Sequence, residues 1–66
     1  MDIIVNGKNQ TIAAGTTVAA LLVALELDPE RVAVEVNLEI VSKDQFNEKL
    51  LTAGDTLEIV QFVGGG

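Results

Sequence analysis

The sequence predicts an α+β fold in which a mixed β-sheet wraps around one main helix, and three observations carry that prediction. Apolar residues alternate with polar ones at Ile3 and Val5, at Val32, Val34 and Val36, and at Leu57 and Ile59, which is the period of a half-buried strand. Only the segment Val18 to Leu25 repeats its apolar residues at helical spacing. A chain of 66 residues has room for a single domain, so both groups of strands must share that helix.

Each element follows from local chemistry. The chain opens with Asp2-Ile3-Ile4-Val5 and then Asn6-Gly7. β-branched residues beside Asn-Gly signal a hairpin, because both central positions of a type I′ turn need positive φ. Ile3 and Val5 are assigned inward, and Ile12 joins them from a polar second strand that ends at Thr11-Ile12-Ala13. Gly15 breaks the extended pattern, and Thr16 or Thr17 is placed to cap a helix with its hydroxyl. Val18, Leu21, Leu22 and Leu25 then form one helical stripe. The helix is expected to end near Leu27, because Pro29 disfavours α geometry at Asp28. Ala19, Ala20, Val23, Ala24 and Leu27 make up its outer face, with Glu26 as the sole charge. Such a face suits either a plain alanine-rich helix or one covered by a partner.

Val32 to Asn37 alternates as a strand, Asn37 suits a turn, and Ile40-Val41 forms a short return strand. Within Ser42 to Asn47 a single helical turn is expected to tuck Phe46 inward. Gly54-Asp55 marks another turn before a last strand, Thr56 to Phe62, with Leu57 and Ile59 facing in. The order ββαββ with the two termini on neighbouring strands is the β-grasp. Residues 1–63 are assigned to that domain, and Gly64, Gly65 and Gly66 to a flexible tail.

Composition narrows the function. Ten acids against four bases give a net charge of −6, which suits neither nucleic-acid phosphates nor an anionic membrane surface. The chain has no Cys and no His, so it lacks a thiol nucleophile, soft-metal ligands and the usual proton shuttle at neutral pH. No catalytic residue and no metal site is assigned. Glu26, Asp28 and Glu30 lack the Gly and the distal acid of a calcium loop and read as a solvated helix end. The N-terminus has no basic region preceding an apolar core, and the run Val18 to Leu25 is well short of a bilayer span of ~20 residues. The cytoplasm is therefore the expected compartment.

Two features carry candidate function. If Leu57 and Ile59 face inward, Glu58, Val60 and Phe62 face outward, and Val60 with Phe62 forms an exposed apolar pair just before the tail. Curvature at the strand end offers the alternative, with Phe62 turned into the core and Gln61 outward. The second feature is the tail. Glycines accept conformations closed to other residues, and three of them extended reach ~10 Å, enough to enter a narrow tunnel. A terminal carboxylate is unreactive at neutral pH until an ATP-using partner makes it an acyl-adenylate, an electrophile open to sulfur or amine attack. A tail that merely frays is the alternative.

Together these segments bring a family into view. The chain resembles the ThiS family, the small sulfur-carrier proteins of thiamin biosynthesis. The likeness runs from the Asn6-Gly7 turn through Ala14-Gly15-Thr16-Thr17-Val18 and Val34-Glu35-Val36-Asn37-Leu38-Glu39-Ile40-Val41. It continues through Gly54-Asp55-Thr56-Leu57-Glu58-Ile59-Val60 to the Gly-Gly terminus. Leu38 departs from it, since Gly after Asn makes a cleaner turn.

The resemblance implies a ubiquitin-like β-grasp acting as a carrier, with no catalysis of its own and no bound cofactor. A ThiF-type adenylyltransferase would use MgATP to adenylate the Gly66 carboxylate, and sulfur from a persulfide donor would convert it to a thiocarboxylate. A ThiG-type thiazole synthase would receive that sulfur. Gly66 would carry the reacting carbon, Gly64 and Gly65 would thread into the partner, and Val60, Phe62 and Val63 would dock. The lack of Cys suits such a carrier, because a thiol would compete for the activated carboxyl. The small subunit of molybdopterin synthase, a carrier for another sulfur pathway and a plain β-grasp interaction module are the competing readings.

Overall fold

Asn6 and Gly7 adopt φ of 50° and 81°, the type I′ turn that their sequence predicts, and they join β1 (Asp2–Val5) to β2 (Lys8–Thr11). The coordinates are a computed structural model, and it describes residues 1–63. After the hairpin come α1 (Val18–Ala24), β3 (Val32–Val36), β4 (Glu39–Val41) and β5 (Thr56–Gln61). Short 3₁₀ turns occupy Pro29–Arg31 and Lys43–Gln45.

The five strands lie in the order β2-β1-β5-β3-β4. β5 runs parallel to β1 and antiparallel to β3, so the last strand in sequence is the middle one in space. One face of the sheet presents Ile3, Val5, Val32, Val34, Val36, Leu57 and Ile59 to Val18, Leu21 and Leu22 of α1, as the alternation predicts. Val41, Phe46 and Leu51 close the remaining side of this core. Phe46 is buried directly after its 3₁₀ turn, and Ile12 and Leu25 pack half-buried at the margin.

The helix N-terminus is closed by the protein itself. Thr17, not Thr16, is the cap: its hydroxyl oxygen accepts from Ala20 N–H at 3.1 Å. The free N–H groups of Val18 and Ala19 donate to the carbonyls of Lys49 and Phe46 at 3.0 and 2.9 Å. This ties the irregular segment before β5 to the helix.

The far end of the helix differs from expectation. The helix stops at Ala24 and not near Leu27, because Glu26 takes a left-handed φ of 60°. Leu27 N–H then bonds the Leu22 carbonyl at 2.9 Å and Glu26 N–H bonds the Val23 carbonyl at 3.0 Å, the two bonds of a Schellman motif. Pro29 acts as predicted, keeping Asp28 extended at ψ 118°, but the chain has already turned. The turn folds Leu27 back onto the core, and Ala19 is also half-buried against it, so neither belongs to the outer face. Ala20, Val23 and Ala24 do lie exposed.

The β3–β4 turn repeats the first hairpin with a poorer residue. Asn37 and Leu38 have φ of 52° and 71°, and Leu38 is 89% exposed. A left-handed leucine pays a backbone cost with no burial in return. Leu38→Gly is therefore expected to raise stability by about 0.5–1 kcal/mol, after its own entropy loss is subtracted. A melting temperature several degrees above the parent checks this, and an unchanged or lower one contradicts it.

Candidate functional site

Side-chain alternation along β5 builds the site. Leu57 is fully buried and Ile59 nearly so, while Glu58 and Val60 face the other way. Phe62 N–H donates to the Arg31 carbonyl at 2.7 Å, which carries the alternation one residue beyond the strand and keeps the ring outward. Phe62 is 54% exposed and Val60 58%, so the strand does not curl the aromatic into the core. Gln61 is exposed as well, beyond the reach of the helix.

Pairing with β3 sets the neighbours of this patch. Ala33 stands opposite Val60, Glu35 opposite Glu58, and Ile40 of β4 opposite Glu35. The outward face is thus an apolar area of Val60, Phe62 and Ala33 beside a carboxylate pair, with exposed Ile40 beyond. Like charges directly opposite one another repel at this separation. Neither Glu35 nor Glu58 has an ion-pair partner among the described residues. Val63, the last described residue, is almost fully exposed. Val60 and Phe62 therefore share the outward side of the chain end, and Val63 is exposed beside them in sequence. Gly64, Gly65 and Gly66, the residues assigned to threading and reaction, lie outside the described residues.

Two polar anchors hold the patch in place, and sequence reading finds neither, treating Asn6, Asn37 and Asp55 as turn residues only. Asn6 bonds the backbone of β5: Ile59 N–H donates to its Oδ1 at 2.7 Å, and its Nδ2 donates to the Ile59 carbonyl at 3.0 Å. Asp55 is buried just before β5 and accepts from Thr52 N–H at 2.8 Å, Asn37 Nδ2 at 2.9 Å and the Thr52 hydroxyl at 3.0 Å. Burial pushes the Asp55 carboxyl up. The bonds from Thr52 and Asn37, with the charge of Lys49, outweigh that and hold it below its ordinary value. A buried acid in a charge-rich small domain implies such partners, but the sequence does not say which.

Among the described residues, no group of three or more acid side chains is placed to hold a metal ion. No helix in them is long and apolar enough to cross a membrane.

A five-stranded mixed sheet on one helix, whose central strand carries an exposed aromatic patch into a glycine tail, defines a small ubiquitin-like β-grasp domain. The chain belongs to the ThiS family, whose family model matches residues 3–66. It is 42% identical over 62 residues to the sulfur carrier protein ThiS of Bacillus subtilis, covering 92% of this chain and 94% of that protein. The crystal structure of the thiamine biosynthesis protein ThiS from Geobacter metallireducens superposes on it with a TM-score of 0.85, at 38% identity and over the whole of both chains. The chain is also 47% identical along its full length to a thiazole synthase of Paramagnetospirillum magneticum. It spans only about a fifth of the thiazole synthases it matches.

Proposed function

We propose that this chain is a sulfur carrier of thiamin biosynthesis, acted on by enzymes and not itself a catalyst. The observation that carries this reading is the family match over residues 3–66, which takes in the glycine tail as well as the fold. In this reading the Gly66 carboxylate displaces pyrophosphate from MgATP on a ThiF-type adenylyltransferase. A persulfide sulfur then displaces AMP from the acyl-adenylate, and a thiol cleaves the remaining sulfur–sulfur bond. One carboxylate oxygen has left with AMP, and one sulfur has taken its place as a thiocarboxylate. The likeness to part of a thiazole synthase supports a ThiG-type enzyme as the receiver.

Val60, Phe62 and Val63 are the docking residues of this proposal, with Gly64 and Gly65 threading the partner's active site. An exposed aromatic flanked by aliphatic groups suits an interface centre. The carboxylates of Glu35 and Glu58 suit a basic rim on the partner, chiefly through the encounter rate.

Intact mass after incubation with the adenylyltransferase, MgATP and a sulfur source tests the chemistry. A gain equal to exchanging one oxygen for one sulfur, abolished by deleting Gly66, is the expected result; no gain with a demonstrably active enzyme overturns it. For docking, Phe62→Asp is expected to weaken binding to the adenylyltransferase at least about tenfold, with the melting temperature nearly unchanged because the ring lies outside the core. Equal affinities for parent and variant in a calorimetric titration would remove Phe62 from the interface.

A further inference from the structure

We propose that Asn6 is a positioning residue for the docking end of β5, holding it with its side chain where β1 has already turned away. This inference rests on the carrier reading above. The parallel β1–β5 register ends at Val5 with Leu57, and Asn6 N–H makes one more backbone bond, to the Leu57 carbonyl at 2.9 Å. At Asn6-Gly7 the backbone then leaves the sheet with positive φ. β5 continues, and its odd-numbered residues present their N–H and C=O groups to the side β1 has vacated, because Phe62 and its even-numbered neighbours bond toward β3. Ile59 would be left with both groups unpaired in the middle of the sheet.

The carboxamide of Asn6 takes both groups, at 2.7 and 3.0 Å, and so acts as the missing peptide of β1. One residue type does this while occupying the left-handed turn position. Asp offers the acceptor but no donor, and Gly keeps the turn but has no side chain. Beyond Ile59 the next group on that side belongs to Gln61, which has no partner there among the described residues. Ile59 is therefore the last point at which β5 is held from both edges, and Val60 to Val63 depart from it. The clamp fixes the direction in which Val60 to Val63 leave the domain, so a partner meets an already ordered segment. Without it that segment hangs from β3 alone, and its ordering is deferred to the encounter.

The test compares Asn6→Gly, Asn6→Asp and Thr17→Ala with the parent. Thr17→Ala weakens the domain through the helix cap and leaves β5 alone. Exchange of the Ile59 amide reads the clamp directly, and the carrier's KM and kcat in adenylation read its use, with all variants shown to be folded at the assay temperature. In Asn6→Gly, Ile59 is expected to exchange faster and KM to rise about tenfold at a kcat within about twofold, with Asn6→Asp in between. Thr17→Ala is expected to leave KM unchanged and to speed Ile59 exchange by no more than its loss of global stability, measured by urea, accounts for. The proposal is overturned if KM stays level while Ile59 exchange rises, if Ile59 stays protected without the carboxamide, or if KM follows melting temperature across all three variants. A parent chain that is never adenylated overturns the carrier reading and with it the use of the clamp, while exchange at Ile59 still reports whether the clamp exists.

Discussion

Leu57→Ala is expected to unfold a large share of the protein at physiological temperature. Leu57 is fully buried in the central strand, with Val5 and Val36 as its strand neighbours and Leu21 and Leu22 in the same core. Truncating such a leucine costs about 2–5 kcal/mol, the transfer term plus the cavity that a close-packed interior cannot fill. A domain of this length has a total stability of roughly 3–10 kcal/mol, at ~0.05–0.15 kcal/mol per residue, so the loss is comparable with the whole. Urea denaturation followed by circular dichroism checks this, with the midpoint expected to fall by more than about 1 M. Val60→Ala on the same strand is the control, since its side chain lies outside the core and its truncation is expected to cost at most about 0.5 kcal/mol. Equal losses from both substitutions would mean that the sheet has no inside.

Asp55→Ala carries the second large effect. It removes the acceptor for the Thr52 amide, the Thr52 hydroxyl and the Asn37 amide at once. It also frees the side chain of Asn37, whose Oδ1 accepts from Thr56 N–H at 3.0 Å, and leaves the β3–β4 turn tied to the start of β5 chiefly by the backbone bond from Asn37 N–H to the Thr56 carbonyl at 2.7 Å. Water reaches part of this cluster, and the expected loss is about 2–3 kcal/mol.

The same residue sets an acid dependence. Its folded-state value lies below the reference of 3.8, so between the two values the unfolded chain binds more protons. Stability from Asp55 is then fully present above the unfolded value and is lost as pH falls through the folded one. Asp55→Asn removes the titrating charge while keeping the shape. The stability gap between parent and Asp55→Asn is expected to shrink on going from about pH 6 to about pH 2.5, measured by urea midpoints. A gap that stays constant would show that the carboxylate charge contributes nothing.

How far the sequence could be read depended on the range of each interaction. Strand faces, both Asn turns, the Thr cap and the inward Phe46 depend on neighbours a few residues away, and periodicity or a two-residue signature reports them. The helix end was missed because the usual mark of a left-handed C-terminal residue is Gly, and Glu26 fills that place instead. Ala19 and Leu27 pack inward although the stripe leaves them outside, because a single stripe understates how much of a short helix the sheet covers. The Asn6 clamp and the Asp55 cluster join residues separated by 53 and 18 positions, and no local pattern encodes such a pairing. The outward facing of Val60 and Phe62 is legible through alternation alone. Its like-charged neighbours, Glu35 and Glu58, emerged only once the β3–β5 register was known.

The position of β5 has a further consequence for how the chain is made. The strand at the middle of the sheet is the last of the five to be synthesised, and until it arrives the first hairpin and the β3–β4 hairpin share no backbone hydrogen bonds. Synthesis therefore yields two ribbons and a helix awaiting their keystone, and a chain stopped before Thr56 has no backbone ladder to join the two ribbons. The stretch that completes the architecture is continuous with the stretch that bears the glycines. Presentation of the outer side of β5, with Val60 and Phe62 on it, is thus coupled to the success of folding itself.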